Sequence, residues 1–192
     1  MSQFISVFDM FKIGVGPSSS HTLGPWRASQ EWISKLKKTQ VFLLTDNIKV
    51  DLYGSLSLTG KGHATDYAIL LGLSGADPEY VPIKDIDGII NSIKETNLLY
   101  LNNEKMISFS IDNINFNKEF LPLNPNGLTF TAFKDGEIIS KDTYYSIGGG
   151  FIIQEEDSLV DEIEVTKQNL PYPINRAVEL DRYCIREKLS IS

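Results

Sequence analysis

The sequence has very few of the side chains that build metal centres and disulfides. It contains one cysteine, Cys184, and two histidines, His21 and His63, in 192 residues. A single cysteine excludes an intrachain disulfide and cannot hold an iron–sulfur cluster, which normally takes three or four cysteines. Two histidines so far apart in the chain do not match a zinc-binding pattern. We therefore predict no metal ligands in this chain, and we expect Cys184 to be a buried helix residue.

Positive charge and long apolar runs are also scarce. The chain carries 18 Lys and Arg against 25 Asp and Glu, which gives a formal net charge of −7. Nucleic acids and anionic membranes both require a basic surface, so neither is expected as a partner. No apolar stretch approaches the roughly 20 residues that span a bilayer, and the first residues lack the basic and apolar regions of a secretory signal. These absences predict a cytoplasmic protein.

The sequence signatures of several enzyme classes are missing. There is neither a Walker-type phosphate loop nor a dinucleotide-binding Gly-x-Gly-x-x-Gly segment. A Ser–His–Asp hydrolase could use Ser20, His63 and Asp66, but the Gly-x-Ser-x-Gly elbow of such enzymes is absent. The hydrolase remains an alternative without a supporting motif.

The hydrophobic pattern predicts helices mainly in the first half of the chain and strands mainly in the second. Apolar residues recur at helical spacing from Thr22 onward, and a second helix is predicted over Thr65–Leu73. Asp85 is a suitable N-cap for another helix. Partial segregation of helices from strands is typical of an α+β fold, here with a mixed or antiparallel sheet and helices packed on it. Asp135-Gly136 is a hairpin signal between two of the strands. The predicted strands are Lys49–Tyr53, Leu98–Leu101, Met106–Ile111, Asn115–Leu121, Leu128–Phe133, Ile138–Ser146 and Phe151–Ile153, and two further helices are predicted at Ser6–Phe11 and Asn175–Lys188.

Both histidines lie in glycine-rich segments that precede a predicted helix. His21 follows Gly16-Pro17-Ser18-Ser19-Ser20, and His63 lies within Gly60–Asp66. Glycine lets a backbone approach a ligand closely, and serine hydroxyls with free N–H groups at a helix start can bind a carboxylate. A histidine beside such a site can transfer protons near neutral pH. Each segment therefore indicates a substrate-binding loop, although a capped turn with a structural histidine has the same pattern.

A series of motifs resembles one enzyme family and covers nearly the whole chain. The longest motif runs from Ser6 to Ala28 and includes the serine-rich segment before His21. The others are Tyr53–Leu56 with Gly60–Asp66, Leu123–Leu128, and Tyr144–Phe151. In this order they resemble the iron–sulfur-dependent, single-chain bacterial L-serine dehydratases, also called L-serine ammonia-lyases.

The resemblance implies that the chain is the amino-terminal, beta-chain-like domain of such an enzyme. It implies a fold similar to the allosteric substrate-binding domain of phosphoglycerate dehydrogenase, over residues 1–155. Residues 156–173 would be a linker, and residues 174–192 the first helix of a truncated catalytic domain. The full enzyme would convert L-serine to pyruvate and ammonia in amino-acid degradation and gluconeogenesis, as a homodimer. Its 4Fe–4S cluster would be held by the carboxyl-terminal domain, so the fragment alone would be inactive.

The resemblance also implies roles for particular residues. His63 would be the catalytic base, and His21 would assist proton transfer. Asn124 and Asn126 would form an allosteric site for effector serine, where Asn124 could hydrogen-bond the ligand but could not titrate. The implied substrate-binding residues are Ser18, Ser19, Ser20, Thr22, Ser146, Gly148 and Gly149. A free-standing amino-acid-binding regulatory module without catalysis is the alternative.

Overall fold

The computed structural model describes residues 14–156, Tyr172 and residues 176–190. Its contacts divide the chain into two units, Met1–Leu159 and Val160–Ser192. The helix predicted at Ser6–Phe11 and most of the predicted linker lie outside the described residues. The domain boundaries that the resemblance implies therefore stay a prediction.

The first long helix, α1, spans Gly24–Lys38 and follows directly from a π-helical turn at Ser19–Leu23. Pro25 occupies its first turn, where a missing N–H costs no hydrogen bond. Trp26, Trp32, Ile33 and Leu36 recur at helical spacing and are buried, as the hydrophobic pattern predicts. The other helices within residues 14–156 are α2 (Val41–Leu44), α3 (Gly54–Thr59), α4 (Thr65–Leu73) and α5 (Ile83–Thr96).

The start of helix α5 differs from the prediction, and the Gly60–Asp66 segment, predicted as a loop, begins with a helical turn. Helix α5 begins at Ile83 with Pro82 as its N-cap, so the predicted N-cap Asp85 lies in the first turn of the helix. Pro82 has extended backbone angles that lead into the helix, and Asp85 still complements the helix dipole there. The glycine-rich stretch 54–62 is itself helical, because α3 continues into a 3-10 turn at Gly60–His63.

Seven strands among the described residues form one mixed sheet: β1 (Asn47–Leu52), β2 (Leu98–Leu101), β3 (Lys105–Ser108), β4 (Ile114–Phe116), β5 (Gly127–Lys134), β6 (Glu137–Gly148) and β7 (Phe151–Gln154). Six of them follow the order β2-β3-β1-β5-β6-β7, and β4 pairs with β1 outside this order. Strands β3 and β4 both pair with β1 in parallel, while β5, β6 and β7 continue the sheet in antiparallel fashion. Asp135 and Gly136, both with positive φ, make the predicted hairpin turn between β5 and β6.

The predicted strands Met106–Ile111 and Asn115–Leu121 are both too long at their carboxyl ends. Ile111–Asn113 is a 3-10 turn whose N-cap is Ser110, and it ends the first of these segments. After Phe116 the chain leaves the strand, because the Glu119 carbonyl accepts a hydrogen bond from the amide of Gly54 at the start of α3. The mixture of helices with a mixed sheet nevertheless confirms the α+β class.

The core lies between the sheet and the helices. In β1, Ile48, Val50 and Leu52 are fully buried and lie on one face, while on the other face Lys49 is exposed and Asp51 is buried. The apolar residues of the strand therefore all face the core. Trp32 of α1 stacks on Phe130 of β5 with a ring-centroid distance of 5.0 Å. Its indole N–H also donates to the buried Asp142 of β6 at 2.9 Å, which satisfies a polar group in the core.

Helix α6 (Ala177–Glu187) belongs to the second unit. Tyr172 packs edge-on against Tyr183 of this helix with 5.4 Å between the ring centroids. Cys184 was expected to be buried, but it is half-buried, and no residue of helix α6 is fully buried. No helix within residues 14–156 and 176–190 is long and apolar enough to cross a membrane.

Helices α1 and α4 approach each other closely at Gly72. A Cβ atom at this position would lie 2.6 Å from the Trp26 carbonyl oxygen and 2.7 Å from Cβ of Ser29. Real Cβ atoms do not come so near to backbone atoms, so the helices can keep this separation only with glycine at position 72.

Gly72→Ala should lower the free energy of unfolding by about 1–3 kcal/mol, because α1 and α4 must move apart. Gly88→Ala is the matched control, since a Cβ at this exposed α5 position would contact nothing within 4 Å. The control should raise the free energy of unfolding by up to about 1 kcal/mol through helix propensity. Urea denaturation measures both, and equal effects at the two positions would show that the crossing has room at Gly72.

Candidate active site

The first histidine segment is a capped π-helical turn. The Ser18 hydroxyl accepts a hydrogen bond from the His21 amide at 3.2 Å, and the Ser18 carbonyl accepts from the amides of Thr22 and Leu23. Gly16, with φ of +117°, lets the chain turn into this segment. Single π-helical turns are rare and are frequently found at functional sites.

The His21 ring is held on both sides by serine hydroxyls. Ser20 Oγ lies 2.9 Å from Nδ1, and Ser55 Oγ of α3 lies 2.9 Å from Nε2. A neutral imidazole has one N–H donor and one acceptor nitrogen, and each hydroxyl can take either complementary role. Burial, reinforced by the neighbouring His63, lowers the pKa of His21 below its ordinary value of 6.5.

The second histidine, His63, ends the 3-10 turn and is fixed through one ring nitrogen. Its Nδ1 lies 3.0 Å from the Thr59 carbonyl oxygen. A carbonyl only accepts hydrogen bonds, so Nδ1 carries the proton and the lone pair of the neutral ring lies on Nε2. The His63 ring is half-exposed and its centroid is 5.0 Å from that of His21. The structure therefore brings the two predicted catalytic histidines together.

Two threonines connect the backbones of the histidine segments. The Thr22 hydroxyl donates to the His63 carbonyl at 2.9 Å, and the Thr65 hydroxyl donates to the His21 carbonyl at 2.6 Å. Both threonines are buried. The hydroxyl of Thr22, which the resemblance assigns to the substrate, is thus used within the protein.

Ser146 of β6 lies against the start of α1. It is fully buried, and among the described residues its hydroxyl has no hydrogen-bond partner. A Cβ atom at Gly24 would overlap this hydroxyl, so the absence of a side chain at Gly24 makes the close approach possible. The sheet thereby reaches the segment that carries His21.

The glycine turn after Ser146 faces the serine-rich segment. Gly148 and Gly149 both have positive φ, at +94° and +61°. Gly149 lines a cavity of about 120 Å³ together with Ser18 and Ser19. Predicted substrate-binding residues from near the start and near the end of the first unit's sequence therefore line the same cavity.

Asn124 and Asn126, predicted as an effector site, lie in the segment before β5. The Asn126 side chain donates to the Ser146 carbonyl at 3.1 Å, and the Ser146 amide donates to the Asn126 carbonyl at 3.0 Å. Asn124 Oδ1 accepts from the Asn126 amide at 2.9 Å. Pro125, between them, accepts from the Ser55 amide at 2.8 Å. Through its bonds to Ser55 and Ser146, this segment adjoins the histidine site.

Comparison with known proteins identifies the family. The family described as serine dehydratase beta chain matches residues 6–157. An L-serine dehydratase of Haemophilus influenzae is 44% identical over 191 residues, L-serine dehydratase TdcG of Escherichia coli is 45% identical, and an L-serine dehydratase of Streptomyces coelicolor is 39% identical. The chain belongs to the serine dehydratase beta chain family. Each match covers 98% of this chain and 41–42% of the relative, so the chain spans about two-fifths of the length of these relatives.

Three residues of this beta-chain domain contact the histidines and were not predicted from the sequence. Ser55, Thr59 and Thr65 bind His21 Nε2, His63 Nδ1 and the His21 carbonyl respectively. Ser55 lies in the Tyr53–Leu56 motif that resembles the family, so this motif could have pointed to a role for Ser55 at the site. Thr65 reads locally as a helix start, and nothing in the local sequence shows that its hydroxyl reaches a segment 44 residues away.

The hydrolase alternative is not supported by the contacts of this beta-chain domain. The Ser20 hydroxyl bonds to the ring of His21, and Asp66 Oδ1 accepts from the amide of Tyr67. His63 is oriented by the Thr59 carbonyl. A nucleophile, base and carboxylate in series, as such a hydrolase requires, is therefore not assembled from Ser20, His63 and Asp66.

The lowered pKa of His21 predicts a pH dependence of stability. The unfolded chain binds a proton at His21 near the ordinary pKa of 6.5, and the folded chain binds it only at lower pH. This contribution to stability is therefore complete above about pH 6.5 and is lost as the pH falls through the folded pKa. Urea denaturation between about pH 7.5 and pH 5 should show a smaller loss of stability for His21→Gln than for the unmodified protein. An equal loss of stability in the two proteins over this pH range would contradict the lowered pKa of His21.

Proposed function

We propose that this domain forms one side of the active site of an L-serine dehydratase, which converts L-serine to pyruvate and ammonia. The observation that carries the proposal is the pair of adjacent histidines in different hydrogen-bond environments. His21 has both ring nitrogens on serine hydroxyls, while His63 has one nitrogen on a carbonyl. Membership of the serine dehydratase beta chain family supports the substrate class.

His63 is the base in this proposal. Loss of water from L-serine requires removal of the Cα proton and departure of the hydroxyl group, after which the enamine tautomerises and is hydrolysed to pyruvate and ammonia. The Thr59 carbonyl keeps the proton of neutral His63 on Nδ1, so Nε2 accepts the Cα proton. Half-exposure of the ring gives a substrate access to this nitrogen.

His21 supports proton transfer beside that base. Its lowered pKa keeps the ring neutral, so one nitrogen accepts while the other donates. With the hydroxyls of Ser20 and Ser55 at 2.9 Å on either side, the ring can pass a proton along a hydrogen-bonded line. A neutral His21 also avoids placing a second positive charge 5.0 Å from His63 after that residue takes up a proton.

The serine-rich segment binds the substrate in this proposal. The π-helical turn starts at Ser19 and continues into α1, so its first amides present the positive end of a long helical segment. Ser18, Ser19 and Gly149 border the adjacent cavity of about 120 Å³ and would receive the substrate carboxylate. Ser20, Gly148 and Ser146, whose hydroxyl has no hydrogen-bond partner in the described part of the chain, complete the proposed binding set.

The cofactor implied by the resemblance is a 4Fe–4S cluster, and the donors of this chain do not fit it. The sequence has one cysteine, where a cluster takes three or four. Within residues 14–156 and 176–190 no group of three or more His, Cys, Asp and Glu residues could hold a metal ion. The proposal therefore assigns the cluster ligands to a part of the enzyme other than these 192 residues.

The remaining parts of the proposal concern the whole enzyme. Residues 1–155 would form the beta-chain domain, 156–173 a linker and 174–192 the first helix of the catalytic domain. The partners would be that catalytic domain and a second copy of the chain, in a cytoplasmic enzyme of amino-acid degradation. Asn124 and Asn126 would contact effector serine. The greater length of the relatives supports a second domain.

The test is His63→Gln in the full-length enzyme, assayed without oxygen for pyruvate formation. Turnover should fall by about 10²–10⁴-fold or more, since a general base is lost, and the absorbance of the cluster should not change. The control is Lys84→Gln on the exposed side of α5, which should keep normal turnover. Near-normal turnover of His63→Gln would eliminate His63 as the base, and pyruvate formation by residues 1–192 alone would contradict a site shared with another domain.

A further inference from the structure

We infer that Thr22 and Thr65 are positioning residues that hold His21 and His63 together as one catalytic unit. Their two hydroxyl–carbonyl hydrogen bonds are called the threonine latch here. The inference rests on the proposed function, in which both histidines act on the substrate. It gives Thr22 a role other than substrate contact and assigns a role to Thr65.

The latch is reciprocal. Thr22 directly follows His21, and its hydroxyl binds the carbonyl of His63. Thr65 follows His63 by two positions, and its hydroxyl binds the carbonyl of His21. The backbone carbonyl of each histidine is therefore held by a hydroxyl from the segment that carries the other histidine. A shift of either segment breaks hydrogen bonds that hold both segments.

Burial makes these two bonds persistent. Thr22 is 4% exposed and Thr65 is fully buried, so water cannot readily replace either hydroxyl. A buried hydroxyl that loses its acceptor is left without a hydrogen-bond partner, and it then bears the cost of its desolvation. The latch consequently resists opening more strongly than two surface hydrogen bonds would.

The latch lies in the two turns that precede the crossing helices. The bodies of α1 and α4 are fixed by their close crossing at Gly72, but both histidines lie in the short turns that precede these helices. Ala64, between His63 and α4, has a φ of +54°, so the helix does not simply extend back through His63. The threonine hydroxyls join the two turns directly, beside rings whose centroids are 5.0 Å apart.

A purely structural tie would lower stability without affecting catalysis, and this difference defines the test. In the full-length enzyme, Thr22→Val and Thr65→Val keep the shape of the side chain but remove the donor. Each should lower kcat about 10–100-fold with little change in KM, because the base is displaced relative to bound substrate. Thr22→Ser and Thr65→Ser retain the hydroxyl and should restore most of kcat.

The double variant and a matched control make the test sharper. Thr22→Val with Thr65→Val should be little worse than either single change, because loss of one bond already releases the pair. Thr45→Val is the control, since Thr45 is fully buried and its hydroxyl donates to the Val41 carbonyl at 3.0 Å, away from the histidines. It should lower the melting temperature like the latch variants and leave kcat unchanged.

A chemical readout separates failure of the latch from failure of the proposed function. Diethyl pyrocarbonate modifies neutral imidazole, and mass spectrometry of the peptides gives the rate at His21. The latch predicts that this rate rises several-fold in both valine variants and not in Thr45→Val. Unchanged kcat in folded valine variants, or additive losses in the double variant, would overturn the inference. If the unmodified enzyme forms no pyruvate, the His21 rate alone decides, and an unchanged rate overturns it.

Discussion

The close crossing of α1 and α4 is the constraint on which the site depends. Gly72 lets α4 approach the backbone of α1 at Trp26, and the two helices begin at the same end of the domain. The turns that precede them therefore meet, although Thr22 and His63 are 41 positions apart in the chain. A second close approach, between Gly24 and Ser146, adds the sheet to the same place. Small residues at two contacts thus bring three separate segments together.

The electrostatics of the histidine pair follow from this packing. Two imidazoles 5.0 Å apart cannot both hold a proton without repulsion, and burial adds to the cost for His21. Serine hydroxyls suit a ring that stays neutral, because they can donate to one nitrogen and accept from the other. The Thr59 carbonyl suits a ring that must present a free lone pair on its other nitrogen. The two rings therefore lie in different hydrogen-bond environments, one between two hydroxyls and the other against a carbonyl.

Local patterns in the sequence were sufficient for the fold class, for α1 and for the Asp135-Gly136 hairpin, because these depend on spacing and turn chemistry. They were insufficient where a distant contact decides the structure. The chain after Phe116 departs from its predicted strand to bind the amide of Gly54. Likewise, the roles of Ser55 and Thr65 depend on a partner more than 30 residues away. The likeness to the phosphoglycerate dehydrogenase domain and the roles of individual residues stay predictions.

The segment around Pro125 gives the predicted effector site a definite physical relation to the histidines. The Pro125 carbonyl holds the amide of Ser55, whose hydroxyl binds His21. Asn126 is bonded to the backbone of Ser146 through both its side chain and its carbonyl. A ligand that displaced the Asn126 amide would therefore disturb Ser146 directly, and a shift of Pro125 would move Ser55. The direct contact between the predicted effector segment and the histidines is therefore Ser55, which is bonded to both Pro125 and His21.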